Sequence, residues 1–277
     1  MSDQDLPPIL RGKNHEAPSS FTPESLLREA RRQKAAAADP VPEICLLDPD
    51  GDIVRRLKKE GRAKRHDEWV CYHTDLYVFE EDGLTFGVIG CVVGSSFAVL
   101  VAEELFVSGC RLLISITSSG QISETQAPPY FILVDRALRD EGTSYHYLPP
   151  SDYSDAPAHL LAELDGAFDG LDTEVLRGAT WTTDAPFRET AGAIEAMRDR
   201  GLLAVEMENA ALYAFAEARN KAVICLAHVT NQMGQIEGDF EKGEADGTTD
   251  ALKVLVVTAR RLSRNQLPPQ SQGRRSA

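Results

Sequence analysis

Residues 84–120 read LTFGVIGCVVGSSFAVLVAEELFVSGCRLLISITSSG, and their pattern decides the fold. The run from Leu84 to Val93 carries no charge, and Arg111 to Thr117 repeats the pattern with Leu112, Leu113, Ile114 and Ile116. Short unbroken apolar runs mark strands buried on both faces, because a strand with one wet face alternates instead. Between them Ser95-Ser96 caps a helical stretch expected over 96–108. Strand, helix and strand in that order point to an α/β fold with a mostly parallel central sheet, mixed in places and flanked by helices on both faces.

The rest of the chain repeats this alternation. Further apolar runs lie at 43–47, 130–134, 175–179 and 222–229, and helical patterns at roughly 187–200, 206–219 and 249–263. Parallel α/β sheets bind ligands beyond the carboxyl ends of their strands. The residues expected there are small or polar: Gly94-Ser95-Ser96, Thr117-Ser118-Ser119-Gly120, Thr180 to Thr183, and Thr230-Asn231-Gln232. Residues 1–40 read as an appended arm with one helix, announced by Thr22 as N-cap and Pro23 at its first position. Residues 41–263 read as the one large domain, on which any catalytic site is expected. Residues 264–277, which lack periodicity, read as a flexible tail.

Composition narrows the partners. The chain has 277 residues, and 43 acidic against 29 basic side chains give a net charge of −14. Such a field repels nucleic acid and anionic membranes, so neither is expected as a partner. Five dispersed cysteines form no CxxC pair and read as reduced thiols of a cytoplasmic protein, with Cys45, Cys91 and Cys225 as small buried hydrophobes. The N-terminus has no apolar signal region, and no 18-residue apolar stretch occurs. Metal-ligand spacings, GxGxxG, GxxxxGK[ST] and GxSxG are all absent, so no metal or cofactor is expected. His228 lies in an apolar run and reads as a core residue, whereas His73 and His146 are flanked by aromatics and could line a site.

The stretch that carries chemistry is Val205-Glu206-Met207-Glu208-Asn209-Ala210-Ala211-Leu212-Tyr213-Ala214. Two carboxylates open a helix that is apolar on nearly every face and is therefore buried. Residues two apart on a helix point about 200° apart, so both can share a site only if Glu206 precedes the first regular turn. A buried carboxylate must be paired or meet a ligand, since isolating it costs several kcal/mol. An N-terminal capping pair without a ligand is the competing reading.

This stretch resembles the Val-Glu-Met-Glu signature of the nucleoside phosphorylases, the family of purine nucleoside and uridine phosphorylases and related nucleosidases. Three more segments match in order: residues 94–122, VDRALRDEGTSYHYLPP and GATWTTDAPFRET. The match covers roughly 40–262. The resemblance implies that Glu208 accepts hydrogen bonds from the ribose hydroxyls, with Met207 packed on the sugar, Glu206 beside it, and Ser118 against ribose and phosphate. It places Ser119, Gly120 and Phe187 toward the base, and Gly94, Ser95, Ser115, Ser118 and Arg139 on the side of phosphate or another nucleophile. Asn231 falls where purine-specific members carry an Asp that protonates the leaving base. An amide cannot act as a general acid, which favours a pyrimidine or unusual base.

The chain departs from the family at the phosphate. Ser115 stands where an arginine grips phosphate, and in the turn Asp48-Pro49-Asp50-Gly51-Asp52-Ile53 the expected Gly and Arg fall on Pro49 and Ile53. Arg55, Arg56, Arg139 or Arg188 would have to substitute. The expected activity is cleavage of a nucleoside's N-glycosidic bond by phosphorolysis; hydrolysis on the same fold, and nucleoside binding without turnover, are the alternatives. The resemblance also implies a homo-oligomer, dimer or hexamer.

Overall fold

The computed structural model describes residues 6–233, 239–240 and 242–266. The elements follow in chain order: α1 (Pro23–Lys34), β1 (Ile44–Asp48), α2 (Asp52–Lys59), β2 (Lys64–Arg65), β3 (Tyr77–Glu81), β4 (Leu84–Gly90), α3 (Ser95–Val107), β5 (Leu112–Gln121) and β6 (Tyr130–Asp140). After these come β7 (Tyr153–Asp155), α4 (Ala158–Glu163), β8 (Val175–Thr183), α5 (Ala191–Asp199), β9 (Ala204–Glu206), α6 (Asn209–Arg219), β10 (Ala222–Asn231) and α7 (Thr248–Gln266).

Two parallel blocks make the sheet. In one, β4, β1, β5 and β10 run parallel; in the other, β6, β8 and β9 do. They join antiparallel at β10–β6 and at β5–β9, so β5, β10, β6, β8 and β9 close on themselves in a ring. The apolar runs that identified the strands supply this sheet's interior: Leu46, Leu113, Ile114, Ile132, Val134, Ile224 and Leu226 are all buried. The helices pack in pairs against the sheet, α3 with α6 and α2 with α7. Among the described residues, no helix is long and apolar enough to cross a membrane.

Several strands run further than their apolar cores. The Thr117–Gly120, Thr180–Thr183 and Thr230–Asn231 stretches, expected as loops, lie within the C-terminal ends of β5, β8 and β10. Their hydroxyls are the reason: Ser118 and Thr230 bond each other across adjacent strands at 2.8 Å, and Thr180 and Thr182 both reach Glu206. Polar side chains with partners inside the closed ring lose nothing by staying in the ladder. By contrast β4 stops at Gly90, which leaves Cys91 exposed in a left-handed turn at φ 62° rather than buried. At the C-terminus α7 continues to Gln266, past the expected start of the tail; residues 267–277 lie outside the described residues.

Candidate active site

Glu206 ends β9, and Glu208 stands one residue before α6, so both carboxylates lie where β9 gives way to the helix, with Glu206 ahead of the first regular turn. Their surroundings differ. Glu206 Oε1 accepts from Thr180 Oγ1 at 3.0 Å and Thr182 Oγ1 at 2.5 Å; its Oε2 accepts from the N–H groups of Glu208 at 2.7 Å and Asn209 at 2.8 Å. Four donors on one carboxylate make Glu206 the anchor that folds the Val205–Asn209 corner. Glu208 accepts from Gly94 N at 2.7 Å and from Thr117 Oγ1 at 2.8 Å, and is 1% exposed. Burial raises both carboxyls, Glu206 to about 7 and Glu208 to about 8, with the charge of Glu206 adding to the rise at Glu208.

Other expected residues gather beside this pair. Gly120 pairs with Val205 on one side and Asn231 on the other, so the end of β5 lies between the carboxylates and the base-side amide. Asn231 Nδ2 donates to Ser119 O at 3.4 Å and Thr230 Oγ1 at 3.2 Å, while its Oδ1 accepts from Met233 N. A Cβ on Gly120 would lie 2.2 Å from Met233 Sδ, so a larger residue there would have to push that flexible side chain aside. Met207 is half-buried, and its carbonyl accepts from Ser95 Oγ at 2.8 Å.

The remaining expected residues have partners within the chain or stand apart from the pair. Gly94 and Ser95 fasten the carboxylate corner to the start of α3. Ser115 is fully buried with its Oγ unpartnered, because it sits mid-strand between Leu47 and Cys225. Arg139 is buried elsewhere, donating to Ser144 Oγ, Ser151 Oγ and the carbonyls of Leu148 and Pro149, where it pins the 144–151 loop. Phe187 is 99% exposed in the 3₁₀ turn Pro186–Arg188, since the chain leaves the sheet after Thr183. Arg55 pairs with Asp52, and Arg56 with Glu60, Thr248 and Thr249. His146 bonds Lys13 of the N-terminal arm, and His73 packs edge-on against Phe97.

The place expected for phosphate is a hollow of about 20 Å³ lined by Asp48, Asp50, Asp52, Ser118, His228 and Lys242, among others. Lys242 is already paired with Asp50 at 3.1 Å and Asp52 at 2.5 Å. Asp48 is buried and its carboxyl is pushed up to about 7, chiefly by burial. His228 stacks on Phe131 at 4.3 Å, its ring held neutral because burial lowers its pKa to about 4. It therefore lines a site as well as filling the core. In the sequence, Thr117, Thr180 and Thr182 are marked only by lying at strand ends and Asp48 only by its place in the phosphate turn, while no signal points to Lys242.

A mixed sheet with a buried carboxylate pair and an anchored amide at its strand ends defines a small-molecule enzyme of the α/β class. The model of the phosphorylase superfamily matches residues 26–260, and the chain belongs to that family. A guanosine phosphorylase of Halorubrum lacusprofundi is 26% identical over 166 residues, 60% of this chain and 68% of that one. Uridine phosphorylase from Vibrio fischeri ES114, complexed with 6-hydroxy-1-naphthoic acid, superposes with a TM-score of 0.68 at 17% identity, covering 84% of this chain and 99% of that chain. A second structure of that phosphorylase gives 0.66 at 18% identity, with 84% and 94% covered.

Proposed function

We propose that the protein cleaves the N-glycosidic bond of a nucleoside, with Glu208 gripping the sugar, Asn231 facing the base, and water as the nucleophile. The observation that carries the choice of water is the acidic hollow. Its volume of about 20 Å³ suits a single water, and four aspartates, Asp48, Asp50, Asp52 and Asp246, line it with one lysine that Asp50 and Asp52 already neutralise. A phosphate dianion there would meet like charge on several sides, and the bordering arginines are engaged within the chain, Arg55 with Asp52 and Arg56 with Glu60, Thr248 and Thr249. Asp48 and Ser118 would orient the water, whose oxygen attacks C1′ as the C1′–N bond breaks and whose proton passes to the Asp48 carboxylate. The departing base carries the electron pair past the Asn231 amide, which can hydrogen-bond it but cannot protonate it.

Phosphorolysis is the second reading, supported by the likeness to the haloarchaeal guanosine phosphorylase. Incubation with uridine and purine nucleosides, with and without inorganic phosphate, separates the two. Water as nucleophile gives free base and free ribose at a rate indifferent to phosphate. Pentose 1-phosphate formed only when phosphate is added would refute it. Glu208→Ala should lower kcat/KM by about 100-fold or more, through loss of charge-assisted bonds to the sugar. Unchanged turnover in that variant would remove Glu208 from the site.

A further inference from the structure

Thr230 is 1% exposed and stands behind the hollow, yet its hydroxyl joins the two sides of the site. Thr230 Oγ1 lies 2.8 Å from Ser118 Oγ, which belongs to the hollow's lining, and 3.2 Å from Asn231 Nδ2 on the base side. The direction of these bonds follows from the amide. Met233 N–H meets Asn231 Oδ1 at 2.9 Å, so the opposite end is the NH2 group, which donates to Thr230 Oγ1 and to Ser119 O. A hydroxyl has one hydrogen to give and two lone pairs with which to accept. Thr230 accepts from Asn231, and among the described residues Ser118 Oγ is the one acceptor bonded to it that its own hydrogen can meet. A buried donor takes the partner within reach, so Thr230 donates to Ser118. The Ser118 hydrogen, with no other acceptor among the described residues, is left for an occupant of the hollow.

We propose, resting on the reading of the hollow as the nucleophile's place, that Thr230 is a positioning residue that makes the Ser118 hydroxyl a donor to the nucleophile. The bonds run one way, from the Asn231 amide through Thr230 to Ser118 and on to an oxygen in the hollow. A water held by Ser118 through one lone pair keeps the other for C1′ and turns a hydrogen toward Asp48. Without the Thr230 hydroxyl, Ser118 turns freely, and its oxygen competes with Asp48 for that hydrogen.

The test is steady-state cleavage of a nucleoside by the wild type, Thr230→Val, Thr230→Ser, Ser118→Ala and the double variant Ser118→Ala/Thr230→Val, each checked by thermal melting. Valine keeps the shape of threonine, and the Asn231 amide keeps Met233 N and Ser119 O. In Thr230→Val the nucleoside KM should therefore stay within about twofold while kcat falls by about tenfold, the worth of one hydrogen bond. Thr230→Ser returns the hydroxyl and should bring kcat back to within about twofold of wild type. The double variant should lose no more than Ser118→Ala alone, because Thr230 acts through Ser118. A folded Thr230→Val enzyme with the wild-type kcat, or losses that multiply in the double variant, would overturn the proposal. So would Ser118→Ala with the wild-type kcat, a measurement that decides the matter even if the valine variant fails to fold. Absence of cleavage with every nucleoside brings down the proposed function together with this inference, whereas multiplying losses leave that function standing.

Discussion

Replacing Glu206 by Ala should unfold the corner on which the site is built, while leaving the outer sheet intact. The carboxylate serves two backbone N–H groups, of Glu208 and Asn209, and two hydroxyls, of Thr180 and Thr182. Each orphaned backbone donor costs about 1–3 kcal/mol. The hydroxyls cost less, since they can rotate, and Thr182 Oγ1 keeps its bond from Ala210 N at 2.9 Å. Against this, removing a buried charge recovers its desolvation penalty, and water can enter the space left behind. The net expectation is a loss of about 2–4 kcal/mol, or about 5–15 °C in Tm for a domain of this size. Glu206→Gln, which can still accept from the two backbone groups, should lose about 1 kcal/mol. Urea unfolding followed by circular dichroism and Trp fluorescence measures both. A Glu206→Ala protein within 1 kcal/mol of wild type would refute the assignment of Glu206 as the corner's anchor.

Three further outcomes follow from the same geometry. Glu208 accepts sugar hydroxyls in its ionised form, and burial raises its pKa to about 8, so kcat/KM should climb as pH rises and level off above about 8; a flat profile from pH 6 to 9 would contradict this. The raised carboxyls of Asp48, Glu206 and Glu208 bind more protons folded than unfolded, so stability should be highest at mildly acid pH and fall as pH rises toward about 8, as melting in a buffer series would show. The Asn209 amide is fully buried with neither Nδ2 nor Oδ1 partnered, so Asn209→Leu should stabilise the fold or leave it unchanged, with a gain of up to about 2 kcal/mol in urea unfolding.

The strand–helix alternation was legible because the apolar runs are long and uncharged, and six of the strands lie where such runs predicted them. What escaped were short elements without a pattern of their own, including α2, β2, β3 and β9, which owe their form to neighbours. The closure of the sheet was also hidden: β10 meets both β5 and β6, a pairing between segments about 90–110 residues apart in sequence that no local periodicity encodes.

At the site, the sequence alone determined that two carboxylates had to be buried together at a helix start, since an apolar helix leaves charge nowhere else to go. Set beside the family it resembles, it also put Ser115 and Ile53 where that family carries phosphate arginines. Only the tertiary structure decided which carboxylate folds the corner and which meets Thr117, that Arg139 and Phe187 stand away from the cleft, and that aspartates line the hollow. The physical reason is that hydrogen-bond partners come from strands and turns distant in the chain. Burial and charge follow from composition nearby, but the direction in which each oxygen points is set by what the fold places opposite it.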